Sequence, residues 1–219
     1  SRVVDIVKNK SGDFSEPVTQ HTQRFIRAFW ALDKALAAAR HFPSVNWLDS
    51  YSGYVGDITP WWGENASPNW VKLRREMIEI LQQEAQLQEI VQRGGPDAQP
   101  DSHRCTLFVG RMMKEAFLQQ NAMDPIDAYS TPAKQVALLE MLSHLHKRGA
   151  QIIEKGAPVG RIQNEVPVWP RLIRARASVA NNDLGALDGL RAQMDEALDR
   201  IEADYDVAAS AEIGAANER

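Results

Sequence analysis

Hydrophobic positions recur at helical spacing through most of the chain beyond residue 60. Trp70, Leu73, Met77, Ile80, Leu81, Leu87 and Val91 share one face and predict a helix to about Arg93. Ser67-Pro68 offers a cap and a first-turn proline for its start, and Gly94-Gly95-Pro96 ends it. Cys105, Phe108, Val109, Met112, Ala116 and Phe117 form a second seam and predict a helix over about 101–120. The short turn between the two implies an antiparallel hairpin, about 68–120. Thr131-Pro132 repeats the capping signal for a helix to about Arg148, with Val136, Leu139, Leu142 and Leu145 inward. Residues 149–170 carry three prolines and three glycines and read as mixed structure. Leu187, Leu190, Met194, Leu198, Ile201 and Tyr205 trace a last long helix, and the small, polar tail Ala208–Arg219 is expected to fray.

The pattern before residue 60 differs. Val3–Val7 predicts a short strand, Lys8–Gly12 a turn, and Pro17 argues against an early helix. Phe25, Ile26, Phe29, Trp30 and Leu32 suit either a buried strand or a helix. His41–Trp62 reads as loop-rich, broken by Pro43, Gly53, Gly56 and Pro60. The fold class expected is mainly α, a helical bundle over 61–219 preceded by a short α/β stretch over 1–60.

Composition narrows the function classes. A net charge of −4 in 219 residues creates no broad field for nucleic acid or anionic lipid. One cysteine, Cys105, excludes an internal disulfide and fits a reducing compartment. No apolar run reaches the ~18 residues of a membrane span, and no secretory leader is expected from the opening residues. Any association with a membrane would therefore run through partners.

Chemistry-bearing residues are sparse. His144 and His146 lie two apart and point to different helix faces, a poor metal pair. Asp13 and Glu16 read as turn caps rather than a metal or acid–base pair. Cys105 sits on an apolar stripe as buried filler. Trp61, Trp62 and Trp70 are expected in bundle or interdomain packing. Arg171, Arg174 and Arg176 read as a solvated basic face. No Ser/His/Asp grouping has support, so no catalytic and no metal-binding residue is assigned.

One set of strings carries more than its composition. GDFSEPVTQ (12–20), FWALD (29–33), RHFP (40–43), NWL (46–48), SPNW (67–70), LQEIV (87–91), GPDA (95–98) and FLQQNA (117–122) occur in this order. In that order they resemble the C-terminal part of the catalytic A (alpha) subunit of V/A-type rotary ATPases. The resemblance implies that the stretch 1–60 is the edge of a nucleotide-binding α/β domain. It also favours a strand running into a short helix over 33–40. It implies ATP or ADP with Mg2+ as cofactor in the intact subunit. The implied partners are a non-catalytic B (beta) subunit and central-stalk rotor subunits, with no nucleic acid. The implied location is peripheral, on the cytoplasmic side of a membrane.

The resemblance also assigns residues. Phe42 is placed against the adenine ring by offset stacking; from residue type alone it would be a loop anchor packing on Trp47. Met123 stands where the family has an aromatic forming the other adenine wall. A thioether still makes a polarizable ring contact, and otherwise Met123 would be core filler. Gln119, Gln120 and Asn121 lie beside it as hydrogen-bonding candidates for the base edge. Gly95, Pro96, Asp97, Ala98 and Gln99 form the hairpin tip that touches the rotor. The tip is more polar than the family's usual one, at Arg93, Gly94 and Gln99. The phosphate-binding string G-x-x-x-x-G-K-[ST] does not occur here, so this chain alone is not expected to hydrolyse ATP. The alternative reading is a stand-alone, non-catalytic helical module for subunit contacts.

Overall fold

The computed structural model describes residues 17–95 and 99–217, the side chains of 18–20 and 207–217 excepted. The expected strand Val3–Val7, the residues Asp13 and Glu16, and the tip residues Pro96, Asp97 and Ala98 lie outside them. The chain divides into two compact units, one reaching Trp61 and the other beginning at Trp62.

The first unit contains α1 (Pro17–Gln23), β1 (Ala28–Leu32), α2 (Lys34–Ala38), β2 (Val45–Ser52) and the start of α3 (Val55–Asn65). Pro17 opens a helix instead of preventing one, because a proline is tolerated at the first position, where the N–H has no ladder partner. The strand-to-helix step at Asp33 is as the resemblance implied. The Asp33 side chain accepts hydrogen bonds from the Ala35 and Leu36 amides at 2.7 and 3.1 Å and starts α2.

Residues 41–62 are not a long loop. β2 pairs antiparallel with β1 through Ala28↔Ser52, Phe29↔Tyr51, Ala31↔Asn46 and Leu32↔Val45. Between the second and third pairs, β1 advances by two residues and β2 by five, a wide bulge. Side chains stitch it: Ser50 Oγ accepts from the Ala31 amide at 3.0 Å, and Asn46 Oδ1 accepts from the Leu48 and Asp49 amides at 2.9 and 3.2 Å. The bulge breaks the period-two pattern that would have marked the strand. α3 contains Pro60 in its second turn, and Thr59 Oγ1 donates to the Val55 carbonyl there at 2.7 Å.

The second unit is the helical bundle. Its elements are α4 (Trp70–Gly94), α5 (Asp101–Met113), a π-helical turn (Lys114–Leu118), α6 (Pro132–Glu154), α7 (Val159–Glu165), α8 (Trp169–Ser178) and α9 (Gly185–Asn217). Ser67 does not cap α4. Its Oγ accepts from the Asn69 amide at 3.2 Å and closes a turn, so the helix begins at Trp70. Trp62 and Trp70 stack, with ring centroids 4.7 Å apart and planes at 8°. Gly95, at φ 81°, ends α4 and returns its N–H to the Val91 carbonyl.

The predicted second helix is α only to Met113 and changes to a π turn for its last five residues. α6 begins at the Thr131 cap as expected but runs past Arg148 to Glu154. It can do so because Gly149 lies against α5, where an added Cβ would sit 2.9 Å from Cys105 Sγ. The stretch read as mixed structure resolves into the end of α6, α7 and the start of α8. α9 continues as helix through Asn217, beyond the point where fraying was expected.

The inward positions of the four long seams are buried, except Val91, Phe117 and Tyr205, which are half-buried. Leu142, Leu145, Met194 and Leu198 have no exposure, and Leu139, Leu187, Leu190 and Ile201 little. Cys105 is buried as filler, and burial pushes its thiol up to about 11. Polar contacts fasten α6 to α9: His144 Nε2 lies 2.6 Å from Asp195 Oδ1, and Arg148 pairs with both Asp199 and Glu202 at 2.7 and 2.6 Å. Among the described residues, no helix is long and apolar enough to cross a membrane.

Candidate functional site

Phe42 sits on the Ala39–Ser44 loop, whose two ends are tied. The His41 amide donates to the Leu36 carbonyl at 2.9 Å, and the Asp33 amide donates to the Ser44 carbonyl at 2.9 Å. Arg40 takes φ 56°, in the left-handed region, to make the turn. Trp47 packs edge-on against His41, with ring centroids 5.6 Å apart. The Phe42 ring is 51 % exposed, a flat apolar surface offered by a loop fixed at both ends.

Met123 is 92 % exposed, which excludes the core-filler alternative. It lies on the segment that leaves the π turn. The Gln119 amide donates to the Lys114 carbonyl at 2.9 Å and Gln119 itself is extended. Asn121 Oδ1 accepts from the Met123 amide at 3.0 Å. The Gln120 side-chain amide donates to the Asp127 carbonyl at 2.7 Å and to that of Ala128 at 3.3 Å. Its N–H groups thus close the loop, while the Asn121 carbonyl oxygen fixes Met123. Asp124 Oδ1 accepts from the Ile126 and Asp127 amides at 2.8 and 2.9 Å. Those bonds hold the half-buried Asp124 carboxyl below its ordinary range.

Residues that the sequence did not assign to this site support the loop. Asp127 is 4 % exposed, accepts from the Asn121 amide at 2.7 Å and is ion-paired with Arg176. Arg176 had been read as part of a solvated basic face; it is instead largely buried against Asp127, and its Nε donates to the Glu115 carbonyl at 3.3 Å. Lys134 is fully buried and donates to the Arg176 and Val179 carbonyls at 2.7 and 2.6 Å. Desolvation pulls the Lys134 ammonium below its usual pKa, and Asp127 and Asp124 oppose that shift. The available sequence signal was Asp127 following the acceptor-rich string FLQQNA. Its partner stands 49 residues away, beyond local pattern.

At the hairpin, Gly94 and Gly95 face open space, and Gln99 Oε1 lies 3.2 Å from His103 Nδ1. Farther along the hairpin, a groove of about 390 Å³ is lined by Glu84, Gln88, Arg104, Phe108, Arg111 and Lys114 among others. None of the residues assigned above lines it. In it, Lys114 Nζ meets both oxygens of the buried Glu84 at 2.7 Å. Among the described residues, no group of three His, Cys, Asp or Glu side chains could hold a metal ion.

Comparisons with known proteins cover both units. Residues 59–162 match the model of the C-terminal domain of V and A type ATP synthase. Residues 3–52 match that of the nucleotide-binding domain of the ATP synthase alpha/beta family. The V-type ATP synthase alpha chain of Halothermothrix orenii is 42% identical over 203 residues, 93% of this chain and 34% of the relative. The A subunit of the A-type ATP synthase of Ignicoccus hospitalis is 44% identical over 200 residues, 91% of this chain and 34% of the relative. Its counterpart in Methanopyrus kandleri is 51% identical over 160 residues, 73% of this chain and 27% of the relative. The chain spans about a third of the length of the curated relatives it matches. With two adjoining family matches and such identity along most of its length, the chain belongs to the family of A (alpha) subunits of V/A-type ATP synthases, matching their C-terminal part.

Proposed function

We propose that this chain is the C-terminal portion of the catalytic subunit of a proton- or sodium-translocating rotary ATPase. In that role it gives the adenine-side wall of the nucleotide site and the lever that couples ATP hydrolysis or synthesis to the central rotor. The observation that carries the first part is the exposure of Phe42 and Met123 on loops braced by hydrogen bonds. An apolar side chain held toward solvent costs hydration without packing. A flat base covering it would recover that loss.

Phe42 would stack on adenine and Met123 would touch it through sulfur. Gln119 and Asn121 stand beside Met123 as candidates for the base edge. Gln120 shares that position, with its N–H groups engaged in the loop. The phosphates and Mg2+ would be held by the rest of the subunit, with charge stabilisation from the neighbouring B subunit. The chain alone would then bind nucleotide weakly and turn none over.

The lever reading rests on α4, a helix about 38 Å long at 1.5 Å per residue, ending in an open turn. Gly95 to Gln99 would meet the rotor, and nucleotide state would rotate the bundle as a body. The complex would sit peripherally on the cytoplasmic side of its membrane.

The test is Phe42→Ala in the assembled complex. Loss of base stacking, about 1–3 kcal/mol, should raise the KM for ATP clearly while leaving assembly intact. Unchanged nucleotide affinity removes Phe42 from the pocket.

A further inference from the structure

The segment Gln119–Met123 is placed by hydrogen bonds and a buried ion pair more than by apolar packing. Met123 and Tyr129 are both exposed, so little apolar contact holds the loop down. Arg176 bridges its two ends. Its Nε donates to the carbonyl of Glu115 in the π turn that launches the segment. Its Nη1 meets the Asp127 carboxylate, which in turn accepts from the Asn121 amide at 2.7 Å. A planar guanidinium can hold two acceptors at a fixed spacing; an ammonium cannot.

Arg176 is itself anchored from behind. Lys134 on α6 donates to the carbonyls of Arg176 and Val179, at the end of α8. Asn181, just past α8, accepts from the Thr131 amide at 3.0 Å and donates to the Tyr129 carbonyl at 2.9 Å. Two cations, Lys134 and Arg176, thereby face two carboxylates, Asp124 and Asp127. A largely buried, hydrogen-bonded network of this kind tolerates few alternative geometries.

We propose that Arg176 and Asp127 are positioning residues that fix the Gln119–Met123 segment against the nucleobase and so set the site's preference for adenine. The proposal rests on the reading of Met123 as an adenine wall. Neither residue touches the base; both act through the backbone of Asn121 and the π turn. The end of α8 thereby becomes part of the nucleotide site.

The experiment uses the full-length protein in its assembled complex, with Asp127→Asn, Arg176→Lys and, in parallel, Met123→Phe. Asp127→Asn keeps the shape and an acceptor for Asn121, so it folds most readily. The expected result for both clamp variants is a KM for ATP raised about tenfold, the scale of one buried charged hydrogen bond, with kcat little changed. The ratio of kcat/KM for ATP to that for GTP should fall with it. That ratio does not depend on how much complex assembles, so a purely structural lesion leaves it unmoved. An unmoved ratio and KM beside a Met123→Phe that shifts KM overturns the clamp and leaves the adenine wall standing. No shift in any of the three variants removes the wall, and the clamp's role with it.

Discussion

The two units differ in what holds them. Up to Trp61, Ala31 is the one buried apolar residue among those described. Phe25, Trp30 and Leu32 are instead mostly exposed, on or beside a two-stranded sheet. Beyond Trp62, every long helix buries a seam. A two-stranded sheet is marginal without a third strand or a helix against it. The first unit is held by polar stitching, such as Asp33, Asn46 and Ser50, and by Arg27, which pairs with Asp57 at 2.7 Å and lies over the Tyr54 ring. The contrast teaches that one chain can carry a unit with a buried apolar core and another held by polar stitching under exposed apolar side chains.

The largest expected effect tests that contrast directly. Leu142→Ala empties a fully buried site and should cost about 2–5 kcal/mol. Leu32→Ala, at an exposed position, should stay within about 0.5 kcal/mol. Urea unfolding followed by helical circular dichroism measures both. Hydrogen exchange should protect the amides of α6 far longer than those of β1 and β2; equal protection would erase the distinction.

A second pair sharpens it through glycines. A Cβ at Gly110 would lie 2.5 Å from Glu84 Cγ, so Gly110→Ala should destabilise the hairpin by about 1–3 kcal/mol. Nothing stands within 4 Å of a Cβ at Gly56, in α3. Gly56→Ala should be neutral or stabilise by up to about 1 kcal/mol. Melting temperatures separate the two, and similar values would show that the α4–α5 approach is not tight.

The smallest effect is a pH slope. Burial lowers the pKa of His146 from 6.5, while Glu76 opposes the shift and Lys147 adds to it. The unfolded chain therefore takes up a proton that the folded chain resists. Stability should be full above pH 6.5 and fall as pH drops below it. His146→Gln should flatten the part of the stability curve that falls below about pH 6.5. An unaltered slope would locate the titrating group elsewhere.

The seams of the bundle were legible because period 3.6 survives burial: Leu139, Leu142 and Leu145, or Leu190, Met194 and Leu198, need only local spacing. β2 was not, because its bulge puts Asn46 and Ser50 to work inside the ladder and spoils alternation. α3 hid behind Pro60, and the start of α4 moved when Ser67 closed a turn instead of capping. Phe42 and Met123 came from ordered strings rather than from periodicity. Arg176 was misread because its partner Asp127 is distant in sequence, and only the folded chain brings them together.

The π turn at Lys114–Leu118 has a consequence for how this chain can change length. A π turn holds one residue more than the α ladder around it. Deleting a single residue there would let α5 heal into an unbroken helix at little cost to its own hydrogen bonds. The π turn fits that residue into one wider turn, so the chain beyond it keeps nearly the heading that an α turn with one residue fewer would give. Its removal would therefore leave Gln119 to Met123 near their place, whereas a deletion farther up α5 would turn everything downstream by about 100° around the helix axis. The π turn is thus the point on this helix where the chain tolerates a change of one residue in length.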